Sequence, residues 1–288
     1  MVSTGSTSGV STGSTSGDDP RLAPVEQNLF DCMALFETSR ISPLVEDDVW
    51  TWTSDIDFPL FSGAINARFT PATTERRAHE TLDRLVGNGR PFMWWLTPST
   101  RSPSLEAVLE QRGLVRDEPA TGMYADLDGV PDPILPAGVS VEVTTEATLD
   151  TMLAAMLDGF GMPATLLSAV RELFGGSRGP VELVHVLARV DGEPAGAGSV
   201  IAAGDIAGLY NIAVRERARG RGVGGAITQA LMRQGSALGC TRSILHATPK
   251  GRPVYARLGY QPVCEITQYL WMPRDEPVEK GEMRGTVT

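Results

Sequence analysis

The sequence predicts an α/β (α+β) fold, a mixed twisted sheet flanked by helices, with a second and smaller domain ahead of it. Three observations carry this. Apolar runs at strand spacing alternate with runs at helical spacing over most of the chain. A loop dense in glycine and arginine joins a strand at 209–214 to a helix whose apolar stripe is Val223, Ile227 and Leu231. Between residues 128 and 138, Pro131, Pro133 and Pro136 with two glycines mark a linker.

Residues 2–9 and 10–17 repeat one octapeptide, VSTGSTSG, which cannot bury enough apolar surface to offset its ordering entropy. The expected organisation is therefore a disordered tail over 1–22, a first domain over 23–130, a linker at 131–138, a second domain over 139–273 and a loose C-terminus from 274 to 288. Val25, Leu29, Cys32, Met33 and Phe36 recur at helical spacing from Pro24 onward. Two strands are expected across 49–69, then a helix over 71–86, a strand at 91–96 and a short helix at 104–111 that stops at Gly113. The second domain opens with a strand at 139–143, followed by helices ending near Leu157 and Phe174. Strands at 181–190 and 195–202 meet at Asp191-Gly192, a dipeptide suited to a tight hairpin. The glycine-rich loop and its helix come next, then a strand at 243–247, a short helix around Tyr255 and closing strands over 261–272.

The net charge of −10 argues against nucleic acid or an anionic membrane as the main partner and suits an amine-bearing one. With no signal-like start and no apolar run long enough to span a bilayer, the expected location is the cytoplasm. Cys32, Cys240 and Cys264 lack metal-ligand or disulfide spacing and read as buried thiols, so no metal is expected.

Chemistry concentrates in Arg219-Gly220-Arg221-Gly222-Val223-Gly224-Gly225. Glycines let the backbone approach a ligand, and the free N–H groups of the following helix end favour a phosphate. Gly220 to Gly225 satisfies the dinucleotide pattern G-x-G-x-x-G, which calls for an acid about twenty residues on. None occurs between Arg217 and Cys264, so an NADP reading would have to recruit a residue such as Arg242. Shifted by one position, Arg219-x-x-Gly222-x-Gly224 resembles the pyrophosphate motif of the Gcn5-related N-acetyltransferase (GNAT) superfamily. Pro253-Val-Tyr255-Ala-Arg-Leu258-Gly259-Tyr260 is similar to that family's second signature. The element order over 138–272 is also the family's. In the first half, Leu96-Thr97-Pro98 with the helix after it parallels Ala247-Thr248-Pro249, while 69–77 holds no glycine. The chain thus resembles a tandem GNAT protein with a degenerate N-terminal half.

The resemblance implies acetyl-CoA as co-substrate and the primary amine of a small molecule or peptide as acceptor. It places Ile212, Ala213 and Val214 along the pantetheine arm, residues 219–225 at the pyrophosphate, and Tyr255 as the acid that protonates the departing thiolate. Thr248 stands where many relatives carry a cofactor-contacting asparagine. His246 is a candidate general base, with Asp158 and Tyr210 as alternatives. A homodimer, an acetyl-CoA-binding regulatory module and an NADP-dependent oxidoreductase stay open as further expectations.

Overall fold

The computed structural model describes residues 19–177 and 179–273. The octapeptide repeat and the charged stretch from 274 therefore lie outside the described residues. The folded chain begins earlier than expected. Asp19 accepts a hydrogen bond from the Arg21 backbone N–H at 2.9 Å, and α1 (Leu22–Asp31) starts directly after it.

One large sheet runs through the molecule. In the first half β1 (Ile41–Val45), β2 (Trp50–Ser54) and β3 (Gly63–Ile65) pair antiparallel, and α2 (Thr74–Gly87) carries the chain over to β4 (Phe92–Leu96), parallel to β3. The strand β1 was not expected, since Pro43 and two exposed apolar residues blur its alternation. After α3 (Pro103–Gln111) come the short β5 (Val115–Arg116) and β6 (Ala120–Asp126).

The second half runs β7 (Val139–Val143), α4 (Leu149–Phe160), α5 (Leu167–Phe174), then the antiparallel strands β8 (Val181–Val190), β9 (Glu193–Ala203) and β10 (Ile206–Val214). The β8–β9 turn has positive φ at Asp191 and Gly192, the mirror-image turn that matches strand twist. Then α6 (Val223–Ala237) leads to β11 (Arg242–Ala247), parallel to β10, and α7 (Arg252–Arg257) leads to β12 (Gln261–Trp271). Three antiparallel strands followed by a helical crossover to a parallel strand thus occur in both halves.

The halves exchange strands where they meet. β6, from the first half, lies between β11 and β12, with His246 opposite Gly122. β12, expected as several closing strands, is one: its first part pairs with β6 and its last part, from Thr267 to Trp271, with β4. The strand β6 went unforeseen because Ala120-Thr-Gly-Met-Tyr-Ala-Asp126 has little alternation, and only its two neighbours hold it extended.

The helices α6 and α7 cover one face of the second-half sheet, while α4, α5 and α1 cover the other. α1 belongs to the first half in sequence, yet it packs on β9, β10 and β11 of the second. Cys32, Cys240 and Cys264 are buried free thiols. Among the described residues, no helix is long and apolar enough to cross a membrane.

Candidate active site

The site is built on a fork between two parallel strands. β10 and β11 pair only at Ile206–Arg242, Ala207–Ser243 and Gly208–Ile244, and beyond Gly208 they separate. On its other edge β10 carries a bulge, with the register to β9 shifting between Tyr210 and Ala213. Asn211 occupies that bulge at φ 57°, a left-handed conformation that Asn tolerates better than most residues.

A buried polar chain holds it there. The Asn211 Nδ2 donates to Ser199 Oγ at 3.3 Å, Ser199 Oγ meets His185 Nδ1 at 2.7 Å, and His185 Nε2 meets the Phe174 carbonyl at 2.8 Å. Burial lowers the His185 pKa, so the ring is neutral near pH 7. The polarity then follows: Nε2 donates to the carbonyl, and Nδ1 accepts from the Ser199 hydroxyl. Ile212, Ala213 and Val214 continue the separated edge of β10. Asn211 was missed, although an asparagine inside Leu209-Tyr-Asn-Ile-Ala-Val214 is the signal of a bulge.

Directly after β10 comes the glycine-rich turn. Gly220 and Gly222 have φ of 76° and 78°, which a side chain would strain, and Gly222 caps α6. A Cβ on Gly222 would also sit 2.8 Å from Pro136 of the linker, whereas one on Gly220 or Gly225 would meet nothing within 4 Å. Gly224 is nearly as open, its Cβ position lying 3.7 Å from Val214 Cγ2. Glycine is a poor helix former, costing about 1 kcal/mol relative to alanine in a helix interior. Among the described residues no neighbour explains Gly224 or Gly225, and the space beside them is open to close approach from outside. The buried Val223 anchors this helix end to the core.

The arginines are less free than their number suggests. Arg219 donates to the Val214 carbonyl at 3.2 Å and to the Gly159 carbonyl at 3.1 Å, tying the turn to α4. Arg221 pairs with Asp191 at 3.1 Å and Arg215 with Asp158 at 2.8 Å. A diphosphate held here would rely on main-chain N–H groups first, with Arg221, exposed, as the side chain able to exchange partners. Arg242, needed by the NADP reading, sits at the opposite end of β11 in a bidentate pair with Asp205, at 3.0 and 2.5 Å. That reading loses its second phosphate ligand.

Tyr255, on α7, packs edge-on to Tyr260 at 6.3 Å between ring centres. Burial pushes its phenol pKa up, so it carries its proton at neutral pH. Thr248 Oγ1 accepts the Gly251 N–H at 3.2 Å, and a Cβ on Gly251 would meet the Tyr255 ring at 2.9 Å. Thr248 therefore shapes the seat of Tyr255.

His246, the candidate base expected near the end of a strand beside the cleft, is a buried ring. It is 1% exposed, lies under α1 and meets Tyr210 edge-on at 5.7 Å. Burial lowers its pKa to about 4, slightly offset by the nearby Val25 backbone, yet neither ring nitrogen completes a hydrogen bond. Asp158 is exposed and spent on Arg215. Tyr210 is buried and donates to Asn28 Oδ1 at 3.0 Å. Helix α1 covers His246 and Tyr210 because it docks on the second-half sheet, a contact with no local signal in the sequence.

Comparison with known proteins agrees with this fold. Residues 182–262 match the family model described as "Acetyltransferase (GNAT) domain". A GCN5-related N-acetyltransferase from Kribbella flavida superposes with a TM-score of 0.66 at 20% identity, covering 86% of this chain and 95% of its own. A GCN5-related N-acetyltransferase from Sphaerobacter thermophilus gives 0.58 at 15%, with 78% and 76% covered. A tandem GNAT protein from the clavulanic acid biosynthesis pathway gives 0.53 at 16%, with 90% and 97% covered. No curated protein matches the sequence. The chain has the GNAT fold, and within its second half residues 182–262 are similar to the GNAT domain family. That match supports acetyl-transfer chemistry in general terms.

Proposed function

We propose that the protein is an acetyl-CoA-dependent N-acetyltransferase that modifies a primary amine, with a catalytic second half and a degenerate GNAT-like first half. The observation that carries this is the coincidence of a strand fork, an open glycine turn at one end of it and a proton-bearing tyrosine beside it. The co-substrate supplies an acyl carbon activated as a thioester. The N–H groups from Gly220 to Gly225 bind its diphosphate, the Arg219 N–H being held by the Glu216 carbonyl at 3.1 Å, and the edge Ile212–Val214 aligns its arm. An amide of the bulged edge faces the carbonyl oxygen as charge develops there. The amine nitrogen forms the new C–N bond as the C–S bond breaks. Tyr255 donates its proton to the sulfur and is reprotonated from solvent, while the new amide nitrogen releases its own proton to water. Calorimetric titration with acetyl-CoA, coupled to thiol release in the presence of an amine panel, tests the reading. Absence of acetyl-CoA binding would refute it.

A further inference from the structure

A narrow hollow lies between the two halves on the α1 side of the fork. Its walls come from three places: Leu29, Met33 and Phe36 on α1 and the turn after it, Trp52 and Trp95 on the first-half sheet, and Tyr210 with Asn211 on the bulged strand. None of the described residues lining it is charged.

We propose that this hollow receives the body of the acceptor, and that the acceptor is a primary amine carrying a compact, uncharged apolar group. The proposal rests on the acetyl-transfer reading and gives it a substrate class. Its location follows from Tyr210 and Asn211, which belong at once to the hollow and to the strand that borders the fork, so an amine anchored here by its apolar end reaches toward the separated strands.

Size and charge select the group. The space is about 50 Å³; one water needs ~10–15 Å³, so the hollow takes a branched aliphatic group of a few heavy atoms and not a sugar. Met33 and Phe36 are only half-buried at the mouth, and the flexible Met33 side chain can adapt to the occupant. An ammonium ion finds no counter-charge on these walls. Where the nitrogen leaves these uncharged walls toward the fork, desolvation favours the neutral amine, which is the nucleophilic form, so deprotonation is supported without a carboxylate base. A polyamine, which the overall acidity of the chain suggests, would have to bury a second charge unpaired. His246, buried against Tyr210 with unfilled ring nitrogens, is a latent polar partner behind the wall. The first half, without a glycine turn of its own, then contributes half of the acceptor site.

The test uses the full chain and two amines of similar length, 3-methylbutylamine and 1,4-diaminobutane. Trp52 and Trp95 report occupancy directly, so tryptophan emission is titrated with each amine, with and without CoA, and acetyl transfer is measured separately. A saturable emission change with 3-methylbutylamine, and a kcat/KM at least ~10-fold above that for the diamine, is expected. Met33→Glu, which places a carboxylate at the half-buried mouth, should reverse the preference without altering CoA affinity. Phe36→Ala, which widens the mouth, should extend acceptance to 2-phenylethylamine and stands in if Met33→Glu loses its native circular dichroism. No emission response to 3-methylbutylamine, or equal or better turnover of the diamine, overturns the proposal. Loss of CoA binding with a preserved emission response overturns the acetyl-transfer reading and leaves the apolar site standing.

Discussion

Asn28 of α1 lies against Gly208 of β10 so closely that a Cβ on that glycine would come within 1.9 Å of the Asn28 side-chain oxygen. Gly208 is the last β10 residue paired with β11. Asn28 Nδ2 donates to the Ile201 carbonyl at 3.0 Å and the Ile206 carbonyl at 3.4 Å, and Oδ1 accepts from the Tyr210 hydroxyl. The first half thus pins the point where the strands part.

Removing that pin should cost stability and acceptor handling together. Asn28→Ala leaves the buried Tyr210 hydroxyl and two strand carbonyls short of partners, an expected loss of about 1–3 kcal/mol. Gly208→Ala, which forces α1 outward, should cost at least as much by overpacking. Urea unfolding measures both, and unchanged midpoints would contradict the arrangement.

Glycines in the turn separate conformational need from ligand need. Gly225 has an ordinary helical φ and open space around its Cβ position, so Gly225→Val should fold with near-native stability yet lower CoA affinity by roughly 10-fold or more, as the new side chain fills the phosphate approach. Gly222→Val, by contrast, should destabilise the protein through its φ of 78° and its contact with Pro136. Calorimetry with CoA beside thermal unfolding distinguishes the two.

Tyr255→Phe keeps the ring packing against Tyr260 and deletes only the proton donor. The expected result is a fall in kcat of about 10²-fold or more with CoA affinity nearly unchanged. A wild-type kcat would remove Tyr255 from the mechanism.

Acid should destabilise the fold through its buried histidines. His246 has a folded pKa of about 4 against 6.5 when exposed, so between those values the unfolded chain binds a proton that the folded chain refuses. Its contribution is complete above pH 6.5 and is lost as pH falls toward 4, by up to about 1.4 kcal/mol per pH unit. His185 shifts in the same direction. Stability curves of the wild type and His246→Leu from pH 7 to pH 4 should diverge in slope, the variant being flatter.

Local patterns in the chain were sufficient for what depends on neighbours in sequence. The glycine-dense turn between an apolar strand and helix, the Asp191-Gly192 hairpin and the seat of Tyr255 before Leu258-Gly259 could be read directly, because backbone conformation and helix periodicity are short-range properties. Asn211 was legible in principle, since a polar residue in an apolar strand needs a reason. What only the tertiary structure decided is partnership across the chain: that β6 and β12 are exchanged between halves, that α1 covers His246 and plants Asn28 on Gly208, and that the arginines around the turn are mostly engaged with carbonyls and carboxylates. Strand edges pair through backbone groups that every residue shares, and buried contacts between distant segments leave no periodic trace, so those choices are made by packing and not by any local stretch of residues.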